Sequence, residues 1–284
     1  MPRKRTKRAE ASFDTASHRE AVIRTMARYD MMGSPDEAYY ARQYMYWILP
    51  ELEARFQGSG PCILDLGCGQ GRLSIPLASW SLERGGQVRG VDLAGPALEK
   101  ARQRAQGLAN LRFQEADLLE FLQTEQESSA DVVLLIEVTF FLPRWKEVLG
   151  EIVRVLKPGG VSFVAFRSQY YNLLQTVWSW RWEGAQMALD REEGYLWGEP
   201  VWYTWQTTDQ IRRLYRKLGL SSPRLLGIGI CSGLQEDPHG TIIRPSQLSE
   251  KEQDLLMEIE CRAAEAYAGC GRYILAIAEK PHSL

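Results

Sequence analysis

The sequence predicts an α/β protein built on a doubly wound, mostly parallel sheet, and three observations carry that prediction. Between residues 62 and 167, short apolar runs alternate with helical segments, the order that a parallel sheet with crossover helices demands. The runs are continuous rather than alternating, as in strands covered on both faces. The first run opens into a glycine-rich loop, PCILDLGCGQGRLSI (Pro61–Ile75), in which Gly67, Gly69 and Gly71 let the chain turn sharply before a helix.

Taken in order, residues 17–31 form a short amphipathic helix with Val22, Ile23, Met26 and Tyr29 on one face. A second helix starts at Ser34-Pro35-Asp36-Glu37 and runs to about Phe56, with Ser34 as N-cap, Pro35 at the first helical position and Glu37 completing a capping box. Strands follow at 62–66, 87–92, 111–115, 131–137 and 160–167, with helices at 71–82, 95–106 and 144–156 between them. Gly95-Pro96 starts the second of these helices and Pro158-Gly159-Gly160 stops the third. A further capping box, Thr207 to Gln210, opens a helix whose Ile211, Leu214, Tyr215 and Leu218 share a face and which Gly219 ends. Segments 225–231 and 272–280 are the last two strands of a seven-stranded sheet. Two stretches exceed this frame. Residues 168–206 hold six of the nine tryptophans, and 232–271 carry a helix from Ser249, boxed by Glu252, to about Tyr267. The organisation is thus a basic, disordered tail (1–16), a helical lead (17–57) and an α/β domain (58–284) with two insertions.

A chain of 284 residues with 45% hydrophobic and 25% charged residues is a globular protein. No apolar run reaches the length of a membrane span. The basic N-terminus lacks the apolar stretch of a signal peptide, which places the protein in the cytoplasm. Five cysteines without C-x-x-C spacing are reduced thiols there, and three histidines make a histidine-rich metal site improbable, so no metal is expected. Residues 1–10 carry a net +4 and the remainder −6. With no basic majority in the body, the tail is a solvated terminus rather than a nucleic-acid arm. The aromatic insertion follows the carboxyl end of a parallel strand, where such sheets bind ligands. It is therefore a substrate-facing cap, although a homodimer contact is left open.

The glycine loop is not a dinucleotide fingerprint, whose third glycine would stand where this chain has Arg72. It carries instead Asp65, a carboxylate that repels a pyrophosphate but suits an ammonium group. From Pro61 to about Gly160 the chain resembles the class I S-adenosylmethionine (SAM)-dependent methyltransferases, which are Rossmann-like. ILDLGCGQG resembles their first motif, Val88–Arg102 the second, Leu111–Phe121 the third, Asp131–Leu142 the fourth, and Leu156–Phe166 the corner into their fifth strand. The resemblance implies SAM as cofactor and S-adenosylhomocysteine as product. It also implies that the last strand runs antiparallel to the others.

Residue by residue, the loop Gly67-Cys68-Gly69 and Asp65 would hold the methionine end, Asp65 through a water. Asp92 would accept both ribose hydroxyls and Leu93 would lie against adenine. Asp117 would take the adenine amino group, Leu118 would offer a backbone N–H, and Glu137 would stand near the sulfonium. On the second N-terminal helix, Tyr40 and Arg42 are candidates for the cofactor carboxylate. Glu137 and His239 are the candidates for a general base, and Trp197, Trp202 and Tyr203 for the acceptor wall. Glu137-Val138-Thr139-Phe140 stands where nucleic-acid amino methyltransferases carry N-P-P-[FY]. The expected function is therefore methyl transfer to an oxygen or nitrogen of a small organic metabolite. The alternatives are an RNA or protein methyltransferase using the tail, or a non-catalytic SAM-binding protein.

Overall fold

The computed structural model describes residues 15–28, 30–198, 200–234 and 243–282. Most of the basic tail, Tyr29 and His239 lie outside these residues. Helix α1 (Thr15–Arg28) and helix α2 (Pro35–Arg55) lead into strand β1 (Cys62–Leu66). Helix α3 (Ser74–Leu82), β2 (Gln87–Asp92), α4 (Gly95–Arg104), β3 (Leu111–Glu115), α5 (Leu118–Thr124), β4 (Ala130–Leu135), α6 (Trp145–Val155) and β5 (Leu156–Arg167) complete the alternating half. The cap consists of α7 (Gln169–Trp178), α8 (Trp182–Asp190) and a small hairpin, β6 (Glu193–Gly194) with β7 (Tyr203–Thr204). Helix α9 (Thr208–Lys217), β8 (Arg224–Ile228), α10 (Glu250–Ala263) and β9 (Tyr273–Glu279) close the described chain.

The seven long strands form one sheet in the order β3-β2-β1-β4-β5-β9-β8, all parallel except β9. The order reverses between β1 and β4, so a crevice opens there at the carboxyl ends of the strands. Successive residues of β1 explain its unbroken apolar run. Ile63 packs into the core under α2, α3 and α10, and Leu64 into the core under α5, α6 and α9. Each face needs its own apolar residues, so no position is left for water-facing polar ones.

Local chemistry accounts for most boundaries. Thr207/Gln210 and Ser249/Glu252 both form reciprocal capping boxes. Ser34 accepts the Glu37 N–H at 3.4 Å, but the expected box there is not made. The Glu37 carboxylate turns inward to Arg72 instead. The cap is more regular than its composition suggests. Trp205 is fully buried between α8 and the hairpin, its indole N–H shared by the carbonyls of Ala188 and Arg191. Trp197 packs on that small core.

Candidate cofactor and active site

At the switch point lies a cavity of about 230 Å³ walled by the glycine loop, the ends of β2 and β4, the start of α5, and α1. Gly67, Gly69, Asp92, Leu93, Asp117, Leu118 and Glu137 all line it, so residues from four separate segments meet there.

The loop's geometry follows from its glycines. Gly67 sits at φ +72°, and a Cβ there would come within 2.2 Å of Val138 Cγ2. Gly69, at φ +51°, faces open space on the cavity side. The loop spends its backbone donors internally: Gly67 and Cys68 on the Val91 carbonyl, Gly69 on Asp92 Oδ2, and Gly71 on the Cys68 carbonyl. A phosphate cradle needs such N–H groups pointing at its ligand, and these four do not.

Asp92 accepts from the N–H groups of Gly69 and Ala94, one on each oxygen, both at 2.8 Å. That fixes its orientation and leaves a second lone pair on each oxygen for a ligand. Burial nevertheless pushes its carboxyl above the ordinary range. Asp117 is the N-cap of α5, its Oδ1 accepting from Leu119 and Glu120. It lines the cavity while doing so. Asp65 lies behind the loop, buried, with the Ser74 hydroxyl donating to it. Burial raises its pKa to about 6 against the pull of Ser74 and the Arg72 charge.

Glu137 leaves β4 at φ +61°, a strained conformation for a non-glycine residue. Its Oε1 is 3.2 Å from Arg72 Nη2 but not aligned for a hydrogen bond, so this buried oxygen has no hydrogen-bond partner among the described residues. Arg72 also pairs with Glu37 and lies 5.9 Å from the Tyr44 ring centroid. Sequence reasoning passed over this buried Glu37–Arg72–Glu137 network. The signal was a charged residue directly after three glycines of an otherwise buried loop.

Several expected placements are corrected. Arg42 is on the outer side of α2, ion-paired with Asp254 at 2.6 Å, beside a different groove. Tyr40 is buried, and its hydroxyl donates to the Ser232 carbonyl at 3.0 Å. Helix α2 is core, and α1 supplies the cover, through Thr15, His18, Arg19 and Val22. Cys68 is buried, with its sulfur 2.8 Å from where a Cβ on Gly90 would stand. Trp197, Trp202 and Tyr203 do not line this cavity. Trp197 belongs to the cap core, and the Trp202 ring packs on Tyr195 at 4.9 Å. Tyr203 comes nearest, its ring 5.3 Å from that of cavity-lining Phe141. The cap touches the cover directly: the Trp202 N–H donates to His18 Nδ1, so Nε2–H donates to the Phe141 carbonyl at 2.7 Å. His18 thereby ties α1, the β4 exit and the cap together.

A family model described as a methyltransferase domain matches residues 58–216. The chain belongs to that family, and its fold is that of the class I SAM-dependent methyltransferases. A ubiquinone biosynthesis O-methyltransferase of Idiomarina loihiensis is 36% identical over 121 residues, 43% of this chain and 46% of that protein. An uncharacterized protein of Mycobacterium tuberculosis is 27% identical over 215 residues, 74% of each chain. The chain spans about half the length of the ubiquinone-pathway relatives it matches. Among solved structures, Synechocystis magnesium protoporphyrin IX methyltransferase with bound SAM superposes with a TM-score of 0.56 at 15% identity, covering 96% of this chain and 100% of that one. A SAM-dependent methyltransferase of Methanosarcina mazei gives 0.53 at 17%, covering 82% and 98%.

The family's cofactor is SAM, and the cavity fits it. Three carboxylates line the wall, its loop donors are already spent, and Leu93, Ala97, Leu118, Leu142 and Pro143 supply apolar surface. A cationic, phosphate-free ligand suits that wall better than a dinucleotide. Among the described residues no cluster of three His, Cys, Asp or Glu side chains forms a metal site, and no helix is long and apolar enough to cross a membrane.

Proposed function

We propose that this chain transfers a methyl group from SAM to an oxygen or nitrogen of a small organic acceptor. The observation that carries the reading is the meeting of Gly69, Asp92, Asp117 and Glu137 in one cavity at the switch point. Likeness to ubiquinone biosynthesis O-methyltransferases supports an oxygen acceptor. When bound, SAM supplies an electrophilic methyl group on a sulfonium that is already a good leaving group. The protein's work is therefore alignment and exclusion of water. Asp92 would take the ribose hydroxyls on its remaining lone pairs, and Leu93 and Leu118 would offer apolar surface to the base. Asp65, behind the loop, acts on the amino group through a water. Helix α1, tied down by His18, covers the cleft.

On this reading Glu137, which lines the cavity, would receive the acceptor's proton. Among the described residues its Oε1 makes no hydrogen bond, it is ion-paired with Arg72 at 3.2 Å, and its backbone is strained at φ +61°. The test is S-adenosylhomocysteine formation from SAM across a panel of phenols, amines and hydroxy acids. Turnover on at least one member, and a loss of at least tenfold in kcat for Glu137→Gln with SAM affinity kept, is the expected result. SAM binding with no turnover on any acceptor would favour a non-catalytic SAM-binding protein.

A further inference from the structure

Arg167 is the last residue of β5 and is buried, with 7% of its surface exposed. Among the described residues no carboxylate lies within the 4 Å of an ion pair. Its guanidinium donates from Nε to Asn172 Oδ1 at 3.2 Å and from Nη2 to Gln175 Oε1 at 3.4 Å. It lies 5.0–5.6 Å from the ring centroids of Tyr171, Tyr273 and Phe140. Neutral amide oxygens and ring faces compensate a buried cation only in part. Three of its five N–H groups have no hydrogen-bond partner among the described residues. A second observation sits beside it. Asn172 is 1% exposed, and with its oxygen turned to Arg167 its Nδ2 is a buried donor with no acceptor among the described residues. An unmet buried donor costs free energy, and here that donor, Asn172 Nδ2, stands beside a cation without a counter-charge.

The location gives the deficit a purpose. Leu135 of β4 pairs with Val164 of β5, so Glu137 and Arg167 leave neighbouring strands at the same end of the sheet. Phe140 lies against Arg167 and against Phe141, which walls the cofactor cavity. Tyr203 of the cap packs on that same Phe141 ring. Resting on the methyltransferase reading above, we propose that Arg167 and Asn172 bind a carboxylate of the methyl acceptor, orienting the rest of the molecule toward Glu137. A planar carboxylate matches the guanidinium fork, takes a third bond from Asn172 Nδ2, and supplies the missing counter-charge. The Tyr171, Tyr273 and Phe140 rings keep the pair dry.

The experiment measures binding and not turnover. The full chain saturated with S-adenosylhomocysteine is titrated calorimetrically with benzoate and with its neutral counterpart benzamide, and the thermal shift of each mixture is recorded. Benzoate should bind at least tenfold more tightly than benzamide and raise the melting temperature more. Arg167→Met, close in volume but without a charge, should lose the preference while keeping SAM affinity. A purely structural arginine would give the opposite pattern, a lowered melting temperature with unchanged ligand preference. Should Arg167→Met not fold, Arg167→Lys keeps the charge without the fork and should weaken benzoate roughly five- to tenfold. Equal binding of the two probes by the native protein, or no binding of benzoate, would overturn the proposal. Absence of SAM binding would instead overturn the methyltransferase reading on which it rests.

Discussion

Replacing Asp65 by Asn should stabilise the protein and weaken SAM binding together. The Asp65 carboxyl is buried, and burial lifts its pKa from 3.8 to about 6. A raised carboxyl pKa means that the folded state holds the proton more tightly than the unfolded state. The contribution to stability is therefore largest below about pH 4 and is lost as pH rises through 6. Across that gap, at about 1.36 kcal/mol per pH unit, the ionised carboxylate costs the fold about 3 kcal/mol at neutral pH. Asn keeps the shape and an oxygen for the Ser74 hydroxyl but carries no charge to desolvate. Part of that cost should be recovered, about 1–3 kcal/mol, or roughly 3–8 °C in melting temperature at pH 8. The gain should shrink as pH falls through 6. SAM affinity, measured calorimetrically at pH 8, should fall by roughly tenfold, because the amino group loses its counter-charge. A variant that melts lower at pH 8, or binds SAM as the native protein does, would refute the reasoning.

Four further outcomes follow from the geometry. Gly67→Ala combines a positive φ with a Cβ 2.2 Å from Val138. It should lower both melting temperature and SAM affinity, and adding Val138→Ala should relieve the collision but not the φ. Arg72→Met leaves Glu37 and Glu137 buried without their cation. Urea denaturation should show a loss of roughly 3–5 kcal/mol, part of it restored by adding Glu37→Gln. In the cap, Trp197→Ala should lower melting temperature while sparing turnover per folded molecule. Tyr203→Ala, next to Phe141, should lower kcat/KM with SAM affinity unchanged.

The strands were legible because burial on both faces demands an apolar residue at every position, as Ile63 and Leu64 illustrate. The meeting of the glycines and acids in one cavity was legible because they sit at strand ends, where spacing and fold order locate them. Helix α5 was not seen, being only seven residues long and started by Asp117, an acid already given another role. The cap helices were hidden by a composition of rings without clear 3.6-residue periodicity. Glu37 looked like half of a capping box because a local pairing is readable from spacing, whereas its true partner Arg72 lies 35 residues away. Arg42 failed for the same reason: its partner, Asp254, comes from a distant helix. Arg167 shows the limit most plainly. A single charge ending the run VSFVAFR reads as a strand terminus until the rings of Phe140, Tyr171 and Tyr273 are seen around it.

The most direct test of the central claim is a calorimetric titration of SAM into the native protein and into Asp92→Ala. The Asp92 oxygens are already oriented by Gly69 and Ala94, with lone pairs left for two ribose hydroxyls. A charge-assisted hydrogen bond of this kind is worth roughly 1.5–3 kcal/mol. The account predicts one SAM per chain, and a tenfold to hundredfold loss of affinity in the variant with folding intact. Unchanged SAM affinity in Asp92→Ala, or tight binding of NAD in place of SAM by the native protein, would contradict it.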